Sequence, residues 1–567
     1  MSESLAMVLP PGVLLILAAI PVVWLPRRLS QGAMLLLPLV GLAQLLALPA
    51  GTSQSLELFD LELEIVRVDA LARIFGIVFH LAAFLGVLYA LHVRDRLQAA
   101  AALVYAGSAI AAVFAGDLLT LFVWWELTAI SSVFLVWARR TEAARRAGMR
   151  YLIIQVSSGL LLLAGSVLIF RERGTLAFDH IGIESVAGWL VFLSFGIKAA
   201  FPLLHGWMKD AYPEATITGT VFLSGFTTKL AIYALARGFA GTEILVPIGA
   251  TMAVFPIFFA LVENDLRRVL CYSLNNQLGY MVVGIGIGTE LALNGAVAHA
   301  FVHVVYKALL FMSIGAVLLR TGTAKASELG GLYRSMPWTT FFCVVGSISI
   351  SAFPWTSGFV SKSMILSAVG HEHRLVAFLA LLFAAAGVLH YSGIKVPFFA
   401  FFARDRGLRV KEAPAHMLAA MAVASLLCVG IGVFPGLLYD LLPHPVDYEP
   451  YTTTHVVTVL QLLLFSALAF VVLLKTGLYP SHLRGIVLDV DWIHRRALPR
   501  LWSGLSAGWR VVQRGCLGSA KQARSRVLDM AEAQLSPWSR FGEPWPTGTT
   551  AMWAAVLLFS YLLLAYY

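Results

Sequence analysis

Along most of this chain, apolar residues run for about 20 positions at a time between short polar stretches. That is the length a helix rising 1.5 Å per residue needs to cross a hydrocarbon core of roughly 30 Å. The pattern predicts spans over roughly 5–25, 31–50, 69–91, 98–115, 117–137, 151–170, 187–211, 216–239, 245–262, 268–288, 291–320, 336–366, 373–402, 414–440, 455–477 and 549–566, about sixteen helices. One stretch breaks it. Residues 478–548 interleave Arg484, Arg495, Arg496, Arg500, Arg510, Arg514, Lys521, Arg524, Arg526 and Arg540 with Trp492, Trp502, Trp509 and Trp538. Basic and aromatic residues at helical spacing predict an amphipathic helix lying in the membrane interface.

Composition turns these elements into a class. Of 567 residues 59% are hydrophobic and 13% charged, against about 25% charged in a soluble domain. This excludes a soluble globular enzyme and implies an all-α polytopic membrane protein. Lys and Arg number 41 against 31 Asp and Glu, so orientation is read from which loops hold the excess. Arg27 and Arg28, the arginines of 138–150, Arg267 and Arg268, Lys325 and Arg334, and Arg404, Arg406, Arg409 and Lys411 fall on one side, the cytoplasmic one. Glu57, Asp60, Glu62 and Glu64 fall on the other, which places both termini outside, in a bacterial or archaeal cytoplasmic membrane. The first span follows Glu3 with no basic residue before it, so it is not expected to be a cleavable signal. The four cysteines, Cys271, Cys343, Cys428 and Cys516, are too scattered for a disulfide framework, and no motif for a metal or other cofactor is expected.

The candidate chemistry lies in ionisable residues inside apolar runs. Arginines keep to loops and span ends, whereas five of ten lysines, Lys198, Lys229, Lys307, Lys362 and Lys395, fall inside apolar segments. Each costs at least about 2.5–3.5 kcal/mol at mid-bilayer. Lysine, unlike arginine, can release its proton there. With Glu126, deep in Leu121-Phe-Val-Trp-Trp-Glu-Leu-Thr128, and with His299 and His303 one helical turn apart ahead of Lys307, the set reads as a proton relay. Lys395, near the inner end of its span, can equally snorkel.

Two spans carry matching interruptions: Ser194-Phe-Gly-Ile-Lys-Ala-Ala-Phe-Pro202, followed by Gly206, and Gly346-Ser-Ile-Ser-Ile-Ser-Ala-Phe-Pro354, followed by Gly358. Pro202 and Pro354 should break their helices and free backbone carbonyls in the membrane, which is tolerated only beside protein or water. Lys198 precedes its proline and Lys362 follows its own, a pattern that suits two half-channels. The glycine run Gly284-Ile-Gly-Ile-Gly288 predicts close helix packing rather than a nucleotide loop.

The motifs Asp117-Leu-Leu-Thr-Leu-Phe-Val-Trp-Trp-Glu126, Lys198-Ala-Ala-Phe-Pro202 with His205-Gly-Trp207, Ala211-Tyr-Pro-Glu214, Asp265-Leu-Arg-Arg-Val-Leu-Cys-Tyr-Ser273, His303-Val-Val-Tyr-Lys-Ala-Leu-Leu-Phe311, Glu328-Leu-Gly-Gly331 and Gly358-Phe-Val-Ser-Lys362 resemble the antiporter-like membrane subunits. That family is shared by Mrp-type multisubunit Na⁺/H⁺ antiporters, respiratory complex I and membrane-bound hydrogenases. The resemblance covers roughly 60–440. It implies two inverted five-helix repeats, 98–239 and 245–402, preceded by helices in 1–97 and followed by 414–477, the interfacial 478–548 and a last span in 549–567.

It further implies that Glu126 and Lys198 form a regulatory pair, that Lys229, His299, His303 and Lys307 carry the proton through the centre, and that Lys362 passes it to the far half-channel. Lys229, in Thr227-Thr-Lys-Leu-Ala-Ile-Tyr233, looks like the D-type antiporter subunit. The segment after 477 looks more like the largest antiporter-like subunit of complex I, and Leu488-Asp-Val-Asp-Trp492 departs from the short D-type pattern. The function so implied is proton translocation within a complex of other membrane subunits that exchanges Na⁺ or K⁺ for protons. The alternative is the pumping arm of a redox complex whose redox groups sit in partners. A scaffold whose charges merely pair helices fits poorly, because five lysines would need more acids than Glu126.

Overall fold

The computed structural model describes residues 9–59, 61–479, 487, 489, 492, 496–535 and 546–566. It divides into two units, Met1–Asp489 and Val490–Tyr567. Among the described residues twelve helices are long and apolar enough to cross a membrane, with shorter apolar helices at Val13–Trp24, Val186–Lys198 and Pro337–Ile350. Every expected span is represented by helix, and the protein is a polytopic membrane protein, helical among the described residues apart from one hairpin.

Two successive sets of helices in the first unit match in length. Arg96–Val113 and Leu245–Val262 have 18 residues each, Leu118–Trp137 and Leu266–Ile287 have 20 and 22, and Glu142–Arg173 and Glu290–Thr321 have 32 each. Their starts are built alike. Asp117 caps the second helix of one set by accepting from the amides of Leu119 and Thr120, and Asp265 caps its counterpart by accepting from those of Arg267 and Arg268. Both aspartates also pair in isolated antiparallel bridges, with Ala177 and Lys325 respectively.

The likeness is closest at the breaks. Val186–Lys198 stops and Gly206–Ala211 resumes; Pro337–Ile350 stops and Ser357–His371 resumes. In the first break the amides of Ala200 and Phe201 bond the carbonyls of Ile197 and Gly196, and in the second those of Ala352 and Phe353 bond Ser349 and Ile348. Ala200, Leu203, Ala352 and Trp355 all take positive φ, between 61° and 70°. Each proline thus sits between two left-handed residues, so the chain turns rather than merely kinks. The fifth helix of each set is interrupted as well. Ile217–Gly225 and Thr227–Gly238 part at Phe226, and the helix over 375–402 contains two wide-turn stretches, Leu389–Ile394 and Phe398–Phe402.

Glycines let backbones meet within the second set. A Cβ on Gly279 would lie 2.5 Å from the Gly249 carbonyl oxygen, and one on Gly284 would lie 2.8 Å from that of Ala292. The glycine run therefore serves close packing, as its sequence implied.

Two features differ from the sequence reading. The acidic stretch before the third span is a hairpin, Ser53–Leu58 paired antiparallel with Leu61–Arg67. Leu61, Leu63 and Ile65 alternate there with Glu62 and Glu64, a period of two that charge counting overlooks. The basic linker before 151 is mostly helix, because Thr141 caps Glu142–Arg173 by accepting from the amide of Ala144. Glu3 and Asp60 lie outside the described residues.

The second unit contains Leu498–Leu535, 38 residues long, and Thr547–Tyr566. Leu498, Leu501, Trp502, Leu505 and Trp509 are exposed and recur at helical spacing. Arg484, Arg495, Arg540 and Trp538 lie outside the described residues, as do the side chains of Arg510 and Arg514.

Candidate functional site

All five intramembrane lysines are buried, and each meets its surroundings differently. Lys198 ends the first half of its broken helix. Its Nζ donates to the Trp125 carbonyl (2.7 Å) and Thr128 Oγ1 (3.0 Å) and lies 4.2 Å above the Trp125 ring. These groups flank Glu126 on Leu118–Trp137, yet Lys198 makes no ion pair with it among the described residues. Glu126 Oε1 is buried with no hydrogen-bond partner and leans into a notch at Gly159, where a Cβ would stand 1.6 Å from it. One turn before Gly159 on the same helix, both polar atoms of the buried Gln155 side chain also lack partners. Carboxylate and ammonium form no ion pair, the one resting at Gly159 and the other on Trp125 and Thr128.

Lys229 sits where the fifth helix is interrupted. Its Nζ donates to the Ser224 carbonyl (2.6 Å), which the break at Phe226 leaves out of the helical ladder, and contacts Thr228 Oγ1 (3.3 Å). His299, His303 and Lys307 follow one another along Glu290–Thr321. His299 Nδ1 is 2.9 Å from Ser361 Oγ and its Nε2 is 3.2 Å from Gln277 Oε1, while the Tyr306 hydroxyl donates to that same oxygen at 3.1 Å. Among the described residues both ring nitrogens of His303 and the Lys307 ammonium are buried without hydrogen-bond partners, and the rings of His299, His303 and Tyr306 form a triangle with centroids 5.2 to 6.2 Å apart. Buried polar groups left unpaired by protein are normally satisfied by water. The centre of the chain is therefore a polar row through an apolar core.

Lys362, past the second break, donates to the Ile350 carbonyl at 2.7 Å, the last turn of the helix half before it. It also lines a cavity of about 510 Å³ whose polar lining includes Ser363, Ser367, His371, His455 and Thr458. Lys395 differs from the other four. Its three protons go to the carbonyls of Ala260, Leu261 and Glu263, at 3.0, 2.7 and 2.7 Å, at the C-terminal end of Leu245–Val262. A cation there favours the helix dipole. Geometry makes it a helix cap, set apart from the row.

The sequence reading missed several participants. Gln277, Asn275 and Asn276 bring polar side chains into an otherwise apolar span, and their adjacency was the available signal. Arg267 is not a loop residue: it is buried and donates to the carbonyls of Tyr212, Pro213, Ala215 and Thr216, tying one set of helices to the other. His205 and Lys209, on either side of the start of the short helix after the first break, meet Asp489 in a buried ion cluster. Thr128, Ser361 and Tyr306 carry no signature beyond being polar.

Fold and site together define a polytopic membrane protein with two like sets of helices and a group of buried lysines. Residues 115–389 match the family described as NADH:quinone oxidoreductase/Mrp antiporter, transmembrane. The D-type subunit of the Na⁺/H⁺ antiporter of Alkalihalophilus pseudofirmus is 32% identical over 315 residues, 51% of this chain and 63% of the relative. Hydrogenase-4 component B of Escherichia coli is 28% identical over 427 residues, 67% of this chain and 64% of the relative. The chain thus spans just under two thirds of the length of these curated relatives. Among solved structures, one chain of the Mrp complex from Dietzia aligns with a TM-score of 0.74 at 23% identity, over 92% of this chain and 62% of that one. A chain of the archaeal membrane-bound sulfane sulfur reductase aligns with a TM-score of 0.70 at 21% identity, over 98% and 100%. These two structural matches establish the shared fold.

Proposed function

We propose that this chain is the proton-translocating subunit of a multisubunit Mrp-type antiporter that exchanges Na⁺ or K⁺ for protons across a bacterial or archaeal cytoplasmic membrane, with both termini outside. The observation that carries this reading is the buried row itself, in which Glu126, His303 and Lys307 hold polar atoms that no group among the described residues satisfies. A structural scaffold would pair them, since an unpaired buried polar group costs about 1–3 kcal/mol. Helix packing alone gives no reason to keep them.

In this mechanism the two repeats, 98–239 and 245–402, each contribute a half-channel. A proton reaching Lys198 is held while the ammonium keeps its contacts to Trp125 and Thr128. Movement of the Glu126 carboxylate toward Lys198 favours the charged amine, and its withdrawal to the Gly159 notch favours release. Lys229, His299, His303 and Lys307 then form the central relay, with Gln277, Tyr306 and Ser361 orienting His299. Lys362 hands the proton to the cavity beyond the second break, whose serine, threonine and histidine lining suits a hydrated exit. Lys395 serves this path by holding the end of Leu245–Val262.

The deciding experiment is cation-dependent proton exchange in everted vesicles carrying the assembled complex. Lys198→Ala should abolish exchange while the complex still assembles; exchange at the wild-type rate would remove the relay. The similarity to hydrogenase-4 component B, which extends over two thirds of this chain, supports a second reading as the pumping arm of a redox complex. Co-purification in mild detergent separates the two, since recovery of small membrane subunits alone favours the antiporter and recovery of soluble iron–sulfur or nickel proteins favours the redox pump.

A further inference from the structure

Asp489, which follows the last long helix of the first unit, has a side chain only 2% exposed and meets residues of both repeats. Three donors converge on its carboxylate. The Lys209 ammonium binds Oδ1, while His205 Nε2 and the Tyr272 hydroxyl donate to Oδ2 at 3.2 and 3.0 Å. Lys209 and His205 are themselves only 6% and 3% exposed. Burial would raise the Asp489 carboxyl, but the hydrogen bond from His205 and the charge of Lys209 outweigh it and hold the group well below the usual carboxylate range.

The other nitrogen of His205 makes the cluster more than an ion pair. Nδ1 is buried and, among the described residues, has no hydrogen-bond partner. With Nε2–H committed to Asp489, the neutral ring presents Nδ1 as a bare acceptor, and protonating it forms an imidazolium already in contact with its counter-ion. The groups facing the ring are few. Lys209 lies on the short helix that His205 precedes, Tyr272 comes from Leu266–Ile287, and Phe255 from Leu245–Val262 packs at 4.6 Å between ring centroids without adding charge. The neighbouring Asp210 is engaged by Arg150 from Glu142–Arg173 at 2.6 Å.

We propose that His205, with Asp489 as its counter-ion, is a proton-loading site at the inner end of the first broken helix, upstream of Lys198. This rests on the proton-relay reading above and extends it to Asp489, which lies outside the matched region 115–389. A proton arriving from the cytoplasmic side binds His205 Nδ1 and leaves from that same atom toward Lys198, seven residues earlier across the break. Lys209 balances Asp489 throughout, so the cluster is neutral at rest and singly positive when loaded.

The test uses the full complex in everted vesicles and records cation-driven proton exchange against pH for wild type, Asp489→Asn, Asp489→Glu, His205→Gln and Lys198→Ala, with native gels reporting assembly. Asp489→Asn removes the carboxylate that the loaded ring contacts, so it should lower exchange about tenfold at alkaline pH and alter the pH profile. Asp489→Glu should restore most of both, and His205→Gln should flatten that limb. If the Asn variant does not assemble, the Glu and His205→Gln profiles decide. A wild-type profile in Asp489→Asn or His205→Gln overturns the proposal. Lys198→Ala separates the two levels: inactive beside a normal Asp489→Asn, it sinks only this inference, and at the wild-type rate it sinks both.

Discussion

At the scale of single residues the five lysines divide by what holds them, and predictions divide likewise. Lys198 binds one carbonyl and one hydroxyl beside an unpaired Glu126. Lys198→Ala should therefore cost at least about 100-fold in exchange, the scale of a lost acid–base group, with little change in thermal stability. Lys395→Ala should do the reverse, because three carbonyls at a helix end lose their donor. We expect a loss of about 1–3 kcal/mol, seen as a lower melting temperature of the purified complex, with exchange per folded complex kept. Gly159→Ala would put a methyl group where Glu126 Oε1 now rests. The carboxylate must then move, and exchange should change its pH dependence with assembly intact; an unaltered profile would show that the notch does not set the position of Glu126. Much of this was legible beforehand, since a lysine in an apolar run stands out whatever surrounds it. Its partners were not. Backbone carbonyls of residues 125, 224, 260 and 350 have no side-chain signature, and those of 224, 260 and 350 lie at or near breaks and helix ends that only folding creates.

Among the elements, the two broken helices were the most readable, because Phe-Pro followed by glycine at matching spacing leaves the chain few choices. The sequence did not reveal that Ala200 and Ala352 take positive φ. Ala200→Val and Ala352→Val should each destabilise by about 1–2 kcal/mol, since a β-branched residue tolerates that region poorly, and the losses should be similar at both sites; a loss at one alone would mean the breaks are not mechanically equivalent. The hairpin was missed because attention to its acids hid their alternation with leucines. Glu64 accepts from Arg67 (2.8 Å) and Ser53 (2.5 Å), and although burial raises its pKa these contacts lower it on balance. A carboxyl held low in the folded state contributes stability above its unfolded pKa and loses it as pH falls through the folded one. Hydrogen exchange in the strands should therefore accelerate below about pH 4; constant protection down to about pH 3 would show that Glu64 does not anchor the hairpin.

For the whole molecule, periodicity and composition sufficed for class, and the charge of the loops for a proposed orientation. They could not bring distant segments together. Arg267 reaching the 212–216 turn and Asp489 reaching His205 are contacts between positions 51 to 284 residues apart, and no local pattern encodes them. The helix Thr453–Lys475 illustrates the other limit, since only Leu463 and Phe470 on it are buried. A helix so apolar and so little covered by its own chain should become protected from hydrogen exchange when membrane partners assemble, and equal protection in the isolated chain and the complex would mean that lipid alone covers it. The paired breaks carry a different consequence. Their turns use the same backbone bonds although the residues on either side have diverged, one set keeping lysine before the turn and the other after it. The turn is thus an interchangeable spare part: a chimera carrying 351–356 in place of 199–204 should still insert and assemble, and engineers or evolution could refit either half with a new charge while leaving the hinge as it is.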